Sequence, residues 1–340
     1  MYNPQASFRN ILSPVKAEDF FEADYGRNVR YIPGSDDKFS GLLGWDDLNR
    51  CINFEKTWDS FNVNLVMDKE PVPVETYCPK NKLDRTILAK YLDQGATLVL
   101  GRFETLCDGA SALFKSIQAA TRAPCGGVLY YSQKEHAGFR PHFDIMDVFV
   151  IQFAGEKLWR IYEGQFENPM LKPGLNSLSF SREQNQKNMG AIEAEITLTP
   201  GDVLYIPRGK YHAALANSDR CLHVTFGVEP ARGLDYLQSL IDTMPNDPLF
   251  REDIPFFDDV DAHEAHIGKL ADRMHKIMIN PEFMKQMREE QRRRTYDNLP
   301  ISTLPNGSRE SGFRVRVAGS KLLRRGKNWL LKTPQGQSEI

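Results

Sequence analysis

Between Gly126 and Val228 the chain falls into short β-branched and aromatic runs punctuated by turn residues: GVLYYS, FRPHFDI, DVFVIQF, KLWRIY, EAEITLT, DVLYIP and CLHVTFGV. Strands spaced this closely, with turns of this kind between them, point to an antiparallel barrel or sandwich. One pairing is explicit. DVFVIQF and KLWRIY are separated only by Ala154, Gly155 and Glu156, and Gly155 supplies the positive φ that a hairpin turn asks for.

The flanks read differently. Ahead of the strand run, DDKFSGLLGWDDLNRCIN has helical spacing, whereas NVNLVMD and VPVETY alternate as strands do. LDRTILAKYLDQGATLVL predicts a helix stopped near Gly95 and then a strand, and CDGASALFKSIQAATR predicts an amphipathic helix opening after Asp108. Beyond Pro230 the strand signal ends. LDYLQSLIDTM and HIGKLADRMHKIM are helical, the charged EFMKQMREEQRRRTYDNL follows, and FRVRVAGSKLLRRGKNWLLKT has the extended runs of a small basic hairpin. The expected units are therefore 1–230, 231–298 and 299–340.

Composition narrows the class. Of 340 residues, 41% are hydrophobic and 26% charged, the balance of an ordinary globular protein. Lys and Arg number 43 against 45 Asp and Glu, so no global field draws the chain to nucleic acid or to an anionic membrane. The basic clusters Arg292, Arg293, Arg294 and Lys321, Arg324, Arg325, Lys327 then read as solvated faces. Five scattered cysteines lack the paired spacing of a zinc or redox motif and are expected as buried thiols. Neither a leader nor an apolar run long enough to span a bilayer stands in the sequence, so a cytoplasmic protein is expected.

The chemistry concentrates at Pro141-His142-Phe143-Asp144. In a strand, residues two apart share a face, so His142 and Asp144 project together. The segment TPGDVLYIPRGKYHAALA brings a further imidazole, His212, just after a run bounded by a Pro-Gly-Asp and a Pro-Arg-Gly turn. Two histidines and one carboxylate form a facial triad. Such a triad suits iron(II), because three coordination positions stay open for a bidentate cosubstrate and dioxygen. In KLWRIY, Lys157 shares a face with Trp159 and Ile161, and an ammonium among inward apolar groups needs a counter-anion or a route to water.

GVLYYSQKEHAGFRPHFDIMDVFVIQFAGEKLWRIY, together with LTPGDVLYIPRGKYHAALA, resembles the JmjC-like cupin hydroxylases called ribosomal oxygenases. The resemblance implies a double-stranded β-helix (jelly-roll, cupin/JmjC) core, a helical dimerisation module and a small C-terminal α/β segment, short for the family's winged helix. It implies an iron(II) triad of His142, Asp144 and His212. It also implies 2-oxoglutarate anchored through its distal carboxylate by Lys157, fifteen residues after the first ligand. Tyr130 matches a tyrosine lining the cosubstrate pocket, and Thr225 a hydroxyl near the cosubstrate carboxylate. The implied reaction is oxidative decarboxylation of 2-oxoglutarate coupled to hydroxylation of a C–H bond by dioxygen. The first choice of substrate is a protein or peptide side chain. A small metabolite, a natural-product peptide and a non-enzymatic cupin module are the rivals. The chain departs from the family pattern at Gly26, where a large aromatic is expected.

Other histidines read more plainly. His223 shares the face of Thr225 but is expected as a satisfied core histidine, and His136, His263, His266 and His275 as surface residues.

Overall fold

DVFVIQF occupies the centre of the molecule as a strand with apolar side chains on both faces. In the computed structural model, which describes residues 3–53, 58–59, 62–134 and 138–296 and the backbone of three strands near the end of the chain, it is β6. The strands in chain order are β1 (Arg30–Ile32), β2 (Val63–Met67), β3 (Glu70–Pro71), β4 (Thr97–Gly101), β5 (Cys125–Ser132), β6 (Asp147–Ala154) and β7 (Lys157–Gln165). They continue as β8 (Ile192–Leu198), β9 (Val203–Ile206), β10 (Lys210–Ala216), β11 (Cys221–Val228), β12 (Lys321–Arg325), β13 (Asn328–Thr333) and β14 (Gly336–Glu339).

A major sheet runs in the order β1-β9-β6-β11-β5-β4-β2-β3, and a minor one in the order β10-β7-β8. Every pairing in both is antiparallel. This is the expected jelly roll. Val148 and Val150 of β6 pack with Trp159, Ile161, Leu198, Leu204 and Ile206 to form the layer between the sheets. Phe149 and Ile151 point the other way and join Ile11, Leu12, Phe20, Leu113, Phe114 and Ile117 beneath the helical flank. At about 25 cal/mol per Å² of apolar surface removed from water, each fully buried side chain of this size contributes roughly 1.5–3 kcal/mol. The two-sided burial of β6 therefore leaves its apolar positions little tolerance for a polar substitution.

Several local expectations change. VPVETY is not a strand: only Glu70–Pro71 pairs with β2, and Val74–Tyr77 turns into a helix. Pro71 and Pro73 remove two ladder donors, and Pro73 begins the helical turn instead. DDKFSGLLGWDDLNRCIN is helical only over Trp45–Ile52, where Asp47 accepts from the Gly44 N–H at 3.1 Å. The Asp108–Thr121 helix forms as expected, one residue early. FRPHFDI is irregular, touching β10 through a single bridge, while KYHAALA forms the additional strand β10.

The hairpin between β6 and β7 turns at Gly155, whose φ of +65° and 2.1 Å approach of a hypothetical Cβ to the Arg220 oxygen leave room for glycine alone. After the barrel, helices Gly233–Thr243, Val260–Met278 and Pro281–Tyr296 pack around Leu240, Phe283 and Met287. His266, expected on the surface, is buried, because the helical face it shares is turned inward. His136 lies outside the described residues. Of the five cysteines, all are free thiols and four are buried. The terminal hairpin appears as β12 paired with β13, and β14 extends it to three strands. Among the described residues, no helix is long and apolar enough to cross a membrane.

Candidate metal centre

His142 lies on irregular backbone and is held opposite His212 of β10 by a reciprocal pair of bonds. The His142 N–H donates to the His212 oxygen at 3.1 Å, and the His212 N–H to the His142 oxygen at 2.8 Å. Asp144 is fixed in turn by its carbonyl, which accepts from the Gly209 N–H at 2.9 Å. Gly209 closes the Pro207-Arg208-Gly209 turn with a φ of +81°, and a Cβ there would meet the Phe166 oxygen at 1.9 Å. The turn is latched from β6: Asp147, fully buried, accepts from both the Arg208 N–H and the Arg208 guanidinium at 3.0 Å. Behind it, Phe143 stacks on Phe166 and meets Tyr211 edge-on, which fills the space on the side away from the cavity.

Each imidazole has its Nδ1 against a backbone carbonyl: His142 against Arg140 at 2.8 Å and His212 against Lys210 at 2.9 Å. A carbonyl can only accept, so Nδ1 carries the proton and Nε2 keeps its lone pair, as a metal ligand requires. The Nε2 atoms lie 4.0 Å (His142) and 3.6 Å (His212) from the Asp144 carboxylate oxygens. One ligand atom from each of the three residues falls within 4.8 Å of the others. Burial, and His142 beside it, push the His212 imidazole down to about 4, so it stands neutral and ready to ligate. Two imidazoles and a carboxylate converging from one side fit a divalent transition ion with open positions.

The triad opens into a pocket of about 510 Å³, a volume that includes space open to solvent. Lys157 stands in its far wall, 4% exposed, with Nζ donating to the Ser132 hydroxyl at 3.0 Å. Burial pushes its ammonium down to about 8 from the ordinary 10.5. Among the described residues no carboxylate pairs with it. A buried cation in that state is costly unless an anion joins it, so the wall fits a ligand carboxylate. Tyr130 and Thr225 line the same cavity, with the Tyr130 ring 6.0 Å from the lysine nitrogen.

Ser132, Thr97 and Phe139 are not singled out by the sequence, which sets Trp159 on the face of Lys157 and His223 in the core; of these five, all but Ser132 line the cavity. The alternation of β11 held the signal for His223, since it shares the face of Thr225. Nothing in the sequence marks Thr97 or Phe139, which arrive from separate segments.

Fold and triad together define a class: a JmjC-type cupin with a His-x-Asp…His centre. Residues 110–236 match the family model of the JmjC domain. The chain is 28% identical over 219 residues to the bifunctional lysine-specific demethylase and histidyl-hydroxylase NO66 of Dictyostelium discoideum, covering 63% of this chain and 41% of that protein. It is 25% identical over 221 residues to ribosomal oxygenase 1 of Danio rerio, covering 64% and 39%. The chain thus spans about two-fifths of the length of these curated relatives. The solved structure of Escherichia coli YcfD superposes with a TM-score of 0.58 at 18% identity, over 93% of this chain and 84% of that one. YcfD in complex with cobalt and 2-oxoglutarate gives 0.56 at 18% identity, over 96% and 86%. At that identity the likeness shows the fold.

Proposed function

We propose that this chain is an Fe(II)- and 2-oxoglutarate-dependent oxygenase that hydroxylates a side chain of a protein or peptide. The observation that carries the reading is the buried Lys157, without a carboxylate partner among the described residues, in the same cavity as the His142, Asp144 and His212 triad. His142, Asp144 and His212 would hold the iron, and Lys157 the distal carboxylate of the cosubstrate, with Tyr130 and Thr225 beside it. Bound iron and dioxygen supply the oxidising chemistry that couples decarboxylation of 2-oxoglutarate to hydroxylation of a C–H bond. The protein's own part is to present three ligand atoms in fixed tautomers, to seat the cosubstrate and to exclude bulk water from the inner wall.

The metal end is the open end. His142 and Asp144 keep 30% and 34% of their side chains exposed, so a group projecting from a macromolecule can reach them. Relatives named as a histidyl-hydroxylase and a ribosomal oxygenase support a protein substrate. The division at 230 and 298 into catalytic, helical and terminal units belongs to this proposal, as does a cytoplasmic homodimer. Leu234, Leu237 and Ile241 are exposed on the first helix after the barrel and offer a dimer face. Light scattering checks the dimer: a monomer at high micromolar concentration with full activity removes it.

Titration of the manganese-loaded protein with 2-oxoglutarate tests the central claim. Saturable, metal-dependent binding is expected, followed by succinate formation in the iron form with a peptide substrate. No binding in the presence of metal overturns the reading.

A further inference from the structure

His223 stands opposite Tyr130 in the pairing of β11 with β5 and is 2% exposed. Its ring stacks on Tyr130 with centroids 4.7 Å apart and planes 5° from parallel, and it meets Trp159 edge-on at 5.7 Å. Its Nδ1 lies 3.5 Å from the Lys157 nitrogen. We infer that His223 is a positioning residue for Lys157: it accepts from the ammonium at Nδ1, and with Ser132 it aims the remaining N–H at the distal carboxylate of the cosubstrate.

The inference rests on the cosubstrate reading above and deepens it. An ammonium has three hydrogens and no lone pair, so a nitrogen facing it can only accept. That fixes His223 as the neutral tautomer with its hydrogen on Nε2. Ser132 takes a second N–H at 3.0 Å, which leaves one of the three free. A long flexible side chain that ordinarily rotates is thereby held as a single oriented donor, and orientation is what discriminates a dicarboxylate of the right length from a monocarboxylate. Burial and the lysine charge both disfavour a proton on the imidazole, consistent with its acting as an acceptor.

A second observation agrees. Among the described residues, the buried Trp159 Nε1 and Thr97 Oγ1 have no hydrogen-bond partner, and both residues line this cavity. Buried indole N–H groups ordinarily find a partner, so the wall around His223 is made for a polar ligand.

The test compares the affinities of the manganese-loaded protein for 2-oxoglutarate and for 2-oxopentanoate, which has the same chain length and no distal carboxylate. His223→Phe keeps a flat ring against Tyr130 and loses the acceptor. It is expected to weaken 2-oxoglutarate binding about tenfold while changing 2-oxopentanoate and manganese binding less than about twofold. His223→Asn, whose amide oxygen can accept, is expected to restore most of the preference. Equal weakening for both ligands, or a preference unchanged in His223→Phe, overturns the positioning role. Lys157→Ala runs in parallel: if it also leaves the preference unchanged, the cosubstrate reading itself falls, whereas a loss confined to Lys157→Ala sinks only the role of His223. Nitrogen-15 NMR of the unmutated protein needs no variant to fold. A neutral ring protonated at Nε2 is expected, and one protonated at Nδ1 overturns the inference.

Discussion

At one end of the cavity His142 and Asp144 stand on backbone that makes a single bridge to β10. At the other, Lys157, Tyr130 and His223 stand in strand ladders, His223 beside a register shift in the pairing of β11 with β6. The metal end is partly open and is positioned by distant latches: the Asp147 clamp on Arg208, the Gly209 bond to Asp144 and the Phe143 plug. The lysine end is buried and positioned by register, Lys157 lying between Ala216 of β10 and Leu198 of β8. An open end admits a bulky substrate, while a closed end strengthens the electrostatics that hold a small charged cosubstrate. The two ends should therefore fail separately when mutated.

The sharpest break is at the metal. Asp144→Ala removes the only carboxylate of the triad and is expected to reduce 2-oxoglutarate turnover to background, read as succinate formation. Turnover near that of the unmutated protein would remove the assignment. Lys157→Ala comes next: truncating one partner of a buried charge-assisted contact costs about 2–5 kcal/mol, or tens of fold and more in the apparent 2-oxoglutarate constant, with metal binding largely intact. Lys157→Arg keeps the charge and is expected to do less harm. Unchanged affinity in the alanine variant would place the carboxylate anchor elsewhere on the wall.

Asp147→Asn probes whether the metal end depends on its latch. The amide keeps the shape but weakens the hold on Arg208, and loss of such a supporting contact is expected to cost about 10–100-fold in metal affinity. Isothermal titration with manganese reads it, and a comparable loss in cosubstrate affinity at saturating metal would erase the distinction between the ends. The smallest effect is that of pH. With the free lysine held down to about 8, the protonated fraction falls as pH rises, and a carboxylate ligand binds that protonated form. The 2-oxoglutarate affinity should drop about threefold between pH 7.5 and 8.5 and be steady below pH 7. Lys157→Arg should abolish the dependence, because a guanidinium stays charged throughout. A dependence that persists in that variant assigns the titration to another group.

Much of this was legible in the residues. Alternation placed Lys157, Trp159 and Ile161 on one face of β7, the hairpin at Gly155 was spelled out, and the ligand residue types and their order suited a facial triad. The resemblance carried the rest of the expectation: Lys157 as an anchor, with Tyr130 and Thr225 beside it. Errors gathered where local propensity competes with tertiary contacts. FRPHFDI alternates like a strand, yet the reciprocal bonds to His212 and the packing of Phe143 shape it as a loop. His266 looked like a surface residue because its helix is polar overall.

Alone, then, the sequence determined the antiparallel strand run, its main turns and the chemical types that His142, Asp144, Lys157 and His212 offer, since those follow from side-chain identity and local pattern. Only the tertiary structure decided that Ser132 and His223 meet Lys157, that Asp147 latches the Arg208 turn, and that Trp159 Nε1 and Thr97 Oγ1 have no hydrogen-bond partner among the described residues. Those relations depend on strand register across two sheets, which joins residues tens of positions apart, and periodicity within one strand carries no information about the register of its neighbour.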